Sequence, residues 1–79
     1  MAKFGLYTYN ISSFGNLKKV KFVYALKGRG KEKGIVAKLG GEFLVNGCFI
    51  VPITNDKEMR DVFSLWKVDY KRKLIEVIE

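Results

Sequence analysis

Residues 18–38, KKVKFVYALKGRGKEKGIVAK, decide how this chain is read. The even positions Val20, Phe22, Tyr24 and Leu26 are apolar, whereas the odd positions are Lys19, Lys21, Val23, Ala25 and Lys27. That alternation predicts a half-buried strand with a basic outer face. Wound as a helix, the same residues would scatter apolar groups around almost the whole circumference, so the strand is the preferred reading. Gly28–Gly34, GRGKEKG, combines three glycines with four charged residues and predicts a mobile exposed tip. GIVAKL, residues 34–39, then reads as the return strand of a basic hairpin.

Working outward, Gly40 and Gly41 break this run, and EFLV and CFIVPI flank Asn46-Gly47. An Asn-Gly pair between two β-rich runs predicts a hairpin with a type I′ turn, which requires positive φ at both positions. Towards the N-terminus, residues 10–17 (NISSFGNL) read as a loop. Residues 3–9 (KFGLYTY) alternate as a strand, with Phe4 and Leu6 on one side and Gly5, Tyr7 and Tyr9 on the other. Towards the C-terminus, Asn55 and Glu58 form a capping pair, and Met59, Val62, Phe63 and Trp66 repeat at helical spacing. A helix over residues 55–66 follows. Residues 67–78 read either as a continuation of that helix or as a strand, and their β-branched content favours a strand near 73–78. The expected fold is β-rich α+β: a small curled antiparallel sheet or partly open SH3-like barrel of five or six strands, with one helix near 55–66.

At 79 residues the chain is expected to be a single domain, and 48% apolar content suffices for one core. Lysine and arginine number 15 against 8 acids, a net charge of +7. Residues 18–38 hold eight of those bases and one acid, Glu32, so this stretch carries a charge equal to that of the whole chain. Histidine and glutamine are absent and Cys48 is the only cysteine. An intramolecular disulfide is impossible, and the usual zinc-ligand sets cannot be assembled. No cofactor or metal is expected. No run approaches the roughly 18 apolar residues of a membrane span. A soluble protein of the reducing cytoplasm is expected, and the abundance of Lys, Glu, Ile and Val without Gln is a bias of heat-adapted, thermophilic proteins.

Catalytic constellations are missing. Without histidine, a Ser or Cys nucleophile would need Lys or a carboxylate as its base. Ser12 and Ser13 fall in the turn-like segment, and Cys48 sits among Phe49, Ile50 and Val51 as a buried thiol. Asp56, Glu58 and Asp61 match the helix dipole and pair with Lys57 and Arg60. Gly28, Gly30 and Gly34 fit neither a Walker loop nor a dinucleotide fingerprint. The chain is therefore read as no enzyme.

The basic stretch supplies the positive argument. Lys19, Lys21 and Lys27 on one strand face would form a row about 7 Å apart, close to the spacing of successive phosphates. Arg29, Lys31 and Lys33 at the tip, with Lys38 on the return strand, would extend the row. A lysine-rich edge that only prevents aggregation is the competing reading for one or two lysines. Tyr7 and Tyr9, sharing a face of the first strand, are candidate stacking platforms for unpaired bases, with Tyr24 left open. Lys71, Arg72 and Lys73 form a smaller basic patch or a charged turn. Phe4, Phe22, Phe43, Phe49, Phe63 and Trp66 are assigned to the core.

GRGKEKGIVAKL followed by EFLVNG resembles the KOW-type segment of SH3-like ribosomal proteins over residues 26–47. Gly30, Lys31, Gly34 and Val36 take the loop and strand positions, and Phe43, Leu44, Val45 and Gly47 close the pattern. Lys33 is one residue more than the pattern has between Gly30 and Gly34. The resemblance implies a small β-barrel whose loops bind RNA, commonly in the ribosome. Non-catalytic nucleic-acid binding is thus expected, RNA in preference to DNA, within a larger ribonucleoprotein. The alternative is a protein-interaction module, an inhibitor or assembly factor that docks the basic hairpin on an acidic protein surface.

Overall fold

The structure, a computed structural model, describes residues 2–78. The elements run β1 (Ala2–Asn10), α1 (Asn16–Lys27), β2 (Gly28–Arg29), β3 (Glu32–Lys33), α2 (Ile35–Lys38), β4 (Glu42–Val45), β5 (Cys48–Pro52), a 3-10 turn (Ile53–Asn55), α3 (Asp56–Trp66) and β6 (Asp69–Val77). Four strands form one antiparallel sheet in the order β4-β5-β1-β6, and β2 with β3 makes a separate two-stranded ribbon. The sheet is open. Its edge strands β4 and β6 do not meet, so the α+β class and the small antiparallel sheet hold and no closed barrel forms among the described residues.

The alternation of β1 divides the sheet into two faces. Tyr7 lies opposite both Phe49 and Arg72, and Gly5 opposite Val51 and Leu74, all on the side covered by the helices. Phe22 and Leu26 of α1, Val36 of α2, and Met59 and Phe63 of α3 close over Tyr7, Phe49 and Val51 to make the core. The aromatic rings carry much of this packing. Tyr7 stacks on Phe49 with centroids 5.4 Å apart, and Phe63 stacks on Tyr70 at 4.4 Å. Phe43 and Trp66 pack on the margin of the core. Phe4 lies with Leu6, Ile50 and Ile75 in the opposite register, on the uncovered face, so its assignment to the core does not hold.

The expected strand over 18–27 is a helix. The reason lies in arithmetic as well as topology: a row of even positions also contains pairs four apart, and Phe22 with Leu26 is such a pair. Both side chains are buried, whereas Val20 and Tyr24, 48% and 45% exposed, turn to solvent. β1 is already hydrogen-bonded on both edges by β5 and β6, so such a strand could not enter the centre of the sheet. Gly28 ends the helix with a φ of 86°, and its N–H donates to the Tyr24 carbonyl. The helix is retained by its tertiary contacts, since no residue caps its N-terminus through a side chain.

The expected return strand over 34–39 is also helical, a single turn of Ile35–Lys38. Gly34 lies against the Leu26 carbonyl and the backbone of Gly28, with no room for a Cβ. Gly40 reverses the chain with a φ of 77°. Between these constraints the segment has no strand to pair with, and one helical turn buries Val36 while the Asn55 side chain donates to the Leu39 carbonyl at 2.8 Å. Asn55 thus serves α2, and as N-cap of α3 it makes no side-chain hydrogen bond to that helix.

Other expectations hold. β1 spans the expected first strand, β4 and β5 flank Asn46-Gly47, and β6 resolves the C-terminal choice in favour of a strand. The hairpin turn differs in type: only Gly47 has positive φ, and the register shifts between Phe43 and Val45. Within residues 28–34, expected to be an exposed tip, Gly28–Arg29 pairs with Glu32–Lys33 as the β2–β3 ribbon.

α3 occupies Asp56–Trp66 as the spacing of Met59, Phe63 and Trp66 requires. It closes with Lys67 in the left-handed region at φ 56°, while the N–H of Val68 reaches back to the Phe63 carbonyl at 3.1 Å. A non-glycine residue pays steric energy in that conformation. Lys67→Gly should therefore raise the unfolding free energy by about 0.5–1 kcal/mol in urea denaturation, the relief exceeding glycine's entropic cost. Among the described residues no helix is long and apolar enough to cross a membrane.

Candidate nucleic-acid interface

The basic stretch folds as helix, ribbon and helical turn, and this distributes its cations over three elements. Lys21 of α1, Arg29 of β2, Lys33 of β3 and Lys38 of α2 converge on one groove of about 400 Å³, with Tyr24 in its wall and Glu32 as its single acid. The Arg29 guanidinium lies 5.2 Å from the centroid of the Tyr24 ring. None of these four cations forms an ion pair among the described residues. Concave, positively charged surfaces concentrate field and attract anions, and unpaired cations there keep their full charge for a ligand. Geometry of this kind suits phosphate, with the part-exposed Tyr24 ring available for a flat group beside it.

The other expected contacts lie elsewhere. Lys19 is half-buried beside Ile11, Val20 and Val23 on another side of α1. Lys27 donates to the Asn46 side chain at 2.9 Å, and its Nζ lies 5.2 Å from the Phe43 ring centroid. It ties α1 to the β4–β5 turn. Lys31 is exposed at the ribbon tip, outside the groove. The row of Lys19, Lys21 and Lys27 does not exist, because helical geometry sends three residues of one parity in three directions.

Tyr7 and Tyr9 face the helices: Tyr7 is closed off from any stacking partner, whereas Tyr9 is part-buried against the core. Tyr7 is fully buried, and Tyr9 sits edge-on to Phe22 at 5.5 Å within the aromatic cluster. Burial holds the Tyr9 hydroxyl in its neutral form, with its pKa raised. Tyr7 was legible as a face-sharing residue of β1, but which face the helices cover was decided only by packing.

Below Tyr7 lies an ionic cluster that sequence reasoning missed. The Tyr7 hydroxyl donates to Asp56 Oδ1, Arg72 Nε donates to the same oxygen at 3.0 Å, and Arg72 Nη2 donates to Oδ2 at 2.5 Å. Arg60 Nε approaches Oδ2 at 3.4 Å. Asp56 is 3% exposed, and Gly5 leaves the space its carboxylate occupies. Burial alone would push the Asp56 pKa up. Hydrogen bonds from Arg72 and Tyr7 and the charges of Arg72 and Arg60 outweigh it and hold the carboxyl below its ordinary range. Burial first, and then the hydrogen bond to Asp56, raises Tyr7 far above the usual phenol value. The basic run Lys71-Arg72-Lys73 is accordingly split: Arg72 points to Asp56, whereas Lys71 and Lys73 occupy the open face. The run is neither a turn nor a continuous patch.

Comparison with family models, with curated proteins and with solved structures returned no match to this chain.

Proposed function

We propose that this protein is a non-catalytic nucleic-acid-binding protein that grips phosphates in the groove between α1, the β2–β3 ribbon and α2. One observation carries the reading: Lys21, Arg29, Lys33 and Lys38, from four elements close in sequence, line a single concavity without ion-pair partners among the described residues. Lysines that only keep a surface soluble have no reason to converge. The choice of RNA over DNA rests on the resemblance of residues 26–47 to KOW segments, and Tyr24 provides a ring on which an unpaired base can stack. Ile35–Lys38 is helical where that resemblance implies a strand.

Fluorescence anisotropy with labelled single-stranded RNA, duplex RNA and duplex DNA tests the proposal. Binding at low salt with a log–log salt slope of about −3 for the single strand is expected from four phosphate contacts. Absence of binding to all three at low salt would sink it. A second reading has its own observation: Leu17, Val20 and Tyr24 form an exposed apolar row on α1 beside the groove. Such a row favours a protein contact, and the basic groove beside it supplies the match to an acidic protein surface, the alternative role of inhibitor or assembly factor. Competition between polyanionic nucleic acid and the protein partner separates the two.

A further inference from the structure

The two edges of the main sheet are unlike. β4 is four residues long and its register shifts between Phe43 and Val45, which blunts that edge. β6 is nine residues long and pairs with β1 from Asp69 to Val77 without a break in register. Among the described residues its outer edge has no partner strand. Leu74 is 64% exposed and Ile78, just beyond the strand, 83%. A long, regular, uncovered strand with exposed apolar side chains is a template for another strand.

The sequence of β6 specifies which strand fits. Two copies run antiparallel with Leu74 opposite its own equivalent place Arg72 opposite Glu76, twice by symmetry, and Tyr70 opposite Ile78. All of these lie on the helix-covered side of the sheet. On the open side Lys71 then faces Val77 and Lys73 faces Ile75, so lysine stems lie along apolar neighbours. Between Tyr70 and Ile78 no like charges stand opposite one another. Arg72 uses Nε and Nη2 on Asp56, which leaves Nη1 for the Glu76 carboxylate of a second copy. Glu76 itself is only loosely engaged, 3.8 Å from Lys3. Centring the pair on Lys73 instead sets that lysine against itself, and centring it on Arg72 sets Lys71 against Lys73 as well. Directly opposed like charges destabilise a strand pair. A pair centred on Ile75 also opposes no like charges, but it sets Arg72 against Ile78 and Glu76 against Leu74, so the Arg72–Glu76 match is what favours the Leu74 register.

We infer that the chain forms a symmetric dimer through antiparallel β6–β6 pairing centred on Leu74, joining two four-stranded sheets into one of eight strands with the helices of both copies on the same side. The occupant of the edge is a second copy of this chain.

Sedimentation velocity on the full chain over a concentration series is expected to show a species of twice the 9.1 kDa chain mass, growing with concentration. Glu76→Lys, at an exposed position, should weaken it about tenfold while leaving the circular dichroism spectrum unchanged. Register is read by cross-linking in a Cys48→Ala background. Leu74→Cys should oxidise to a covalent dimer, because directly opposed residues lie within disulfide reach. Lys73→Cys should not, because its equivalents are diagonal and about 7–8 Å apart. A monomer at every concentration, a dimer indifferent to Glu76→Lys, or cross-linking through position 73 in place of 74 overturns the inference.

Discussion

Replacing Asp56 by alanine is expected to cost about 3–5 kcal/mol of unfolding free energy, most of what a domain of this size possesses. The loss has an identifiable origin. Asp56 receives the Tyr7 hydroxyl and two donors from Arg72, with Arg60 nearby, and it joins α3 to β1 and β6 at once. Removing the carboxylate leaves the Arg72 guanidinium partly buried without its counter-charge and the fully buried Tyr7 with a hydroxyl that has lost its principal acceptor. Urea unfolding at neutral pH followed by circular dichroism measures the difference.

Acid supplies a second signature. The folded-state pKa of Asp56 lies below its reference value of 3.8, so the carboxylate's contribution is fully present above that value and is lost as pH falls through the folded pKa. The stability gap between wild type and variant should therefore be constant near neutrality and narrow progressively below about pH 4. A gap under 1 kcal/mol, or one that does not change with acid, would show that the cluster is not the keystone described here.

The second large effect concerns the groove. In Lys21→Ala/Lys33→Ala/Lys38→Ala, with Arg29 retained, nucleic-acid affinity should fall alike for every sequence tested. The salt slope for a single strand should move from about −3 to about −1, because each lost phosphate contact removes the release of one condensed counterion. Lys27→Ala is the informative control. Although it belongs to the same basic stretch, its Nζ is held by Asn46 and lies over Phe43, so the variant should keep the slope and lose only a little stability. Equal loss of slope in the control would mean that total charge, and not the groove, binds the ligand.

Much of the fold was legible because some local signals have one reading. Met59, Phe63 and Trp66 repeat at a spacing only a helix satisfies, and Asn46-Gly47 between two β-rich runs admits little except a hairpin. Residues 18–27 lacked that uniqueness. Periods of 2 and 3.6 residues both include neighbours four apart, and Phe22 with Leu26 satisfies either. Residues 34–39 failed for a related reason, since a short apolar run carries no period of its own. The basic cluster was visible as composition, but its shape depended on those two segments. Four of the expected cations met in the groove, and Lys19, Lys27 and Lys31 were carried away from it.

By itself the sequence determined the charge, its concentration in residues 18–38, the α+β class, the strands at β1, β4 and β5, and the helix α3, while for β6 it favoured a strand over a longer helix without deciding between them. These follow from composition and from patterns confined to a few neighbouring residues. Only the tertiary structure decided that α1 is a helix, that the sheet stays open, that Tyr7 is core with Tyr9 packed against it, and that Arg72 leaves its lysine neighbours for Asp56. Each of those outcomes depends on partners distant along the chain: strands already occupying both edges of β1, helices covering one face of the sheet, and a carboxylate whose burial is tolerable only beside an arginine from another strand.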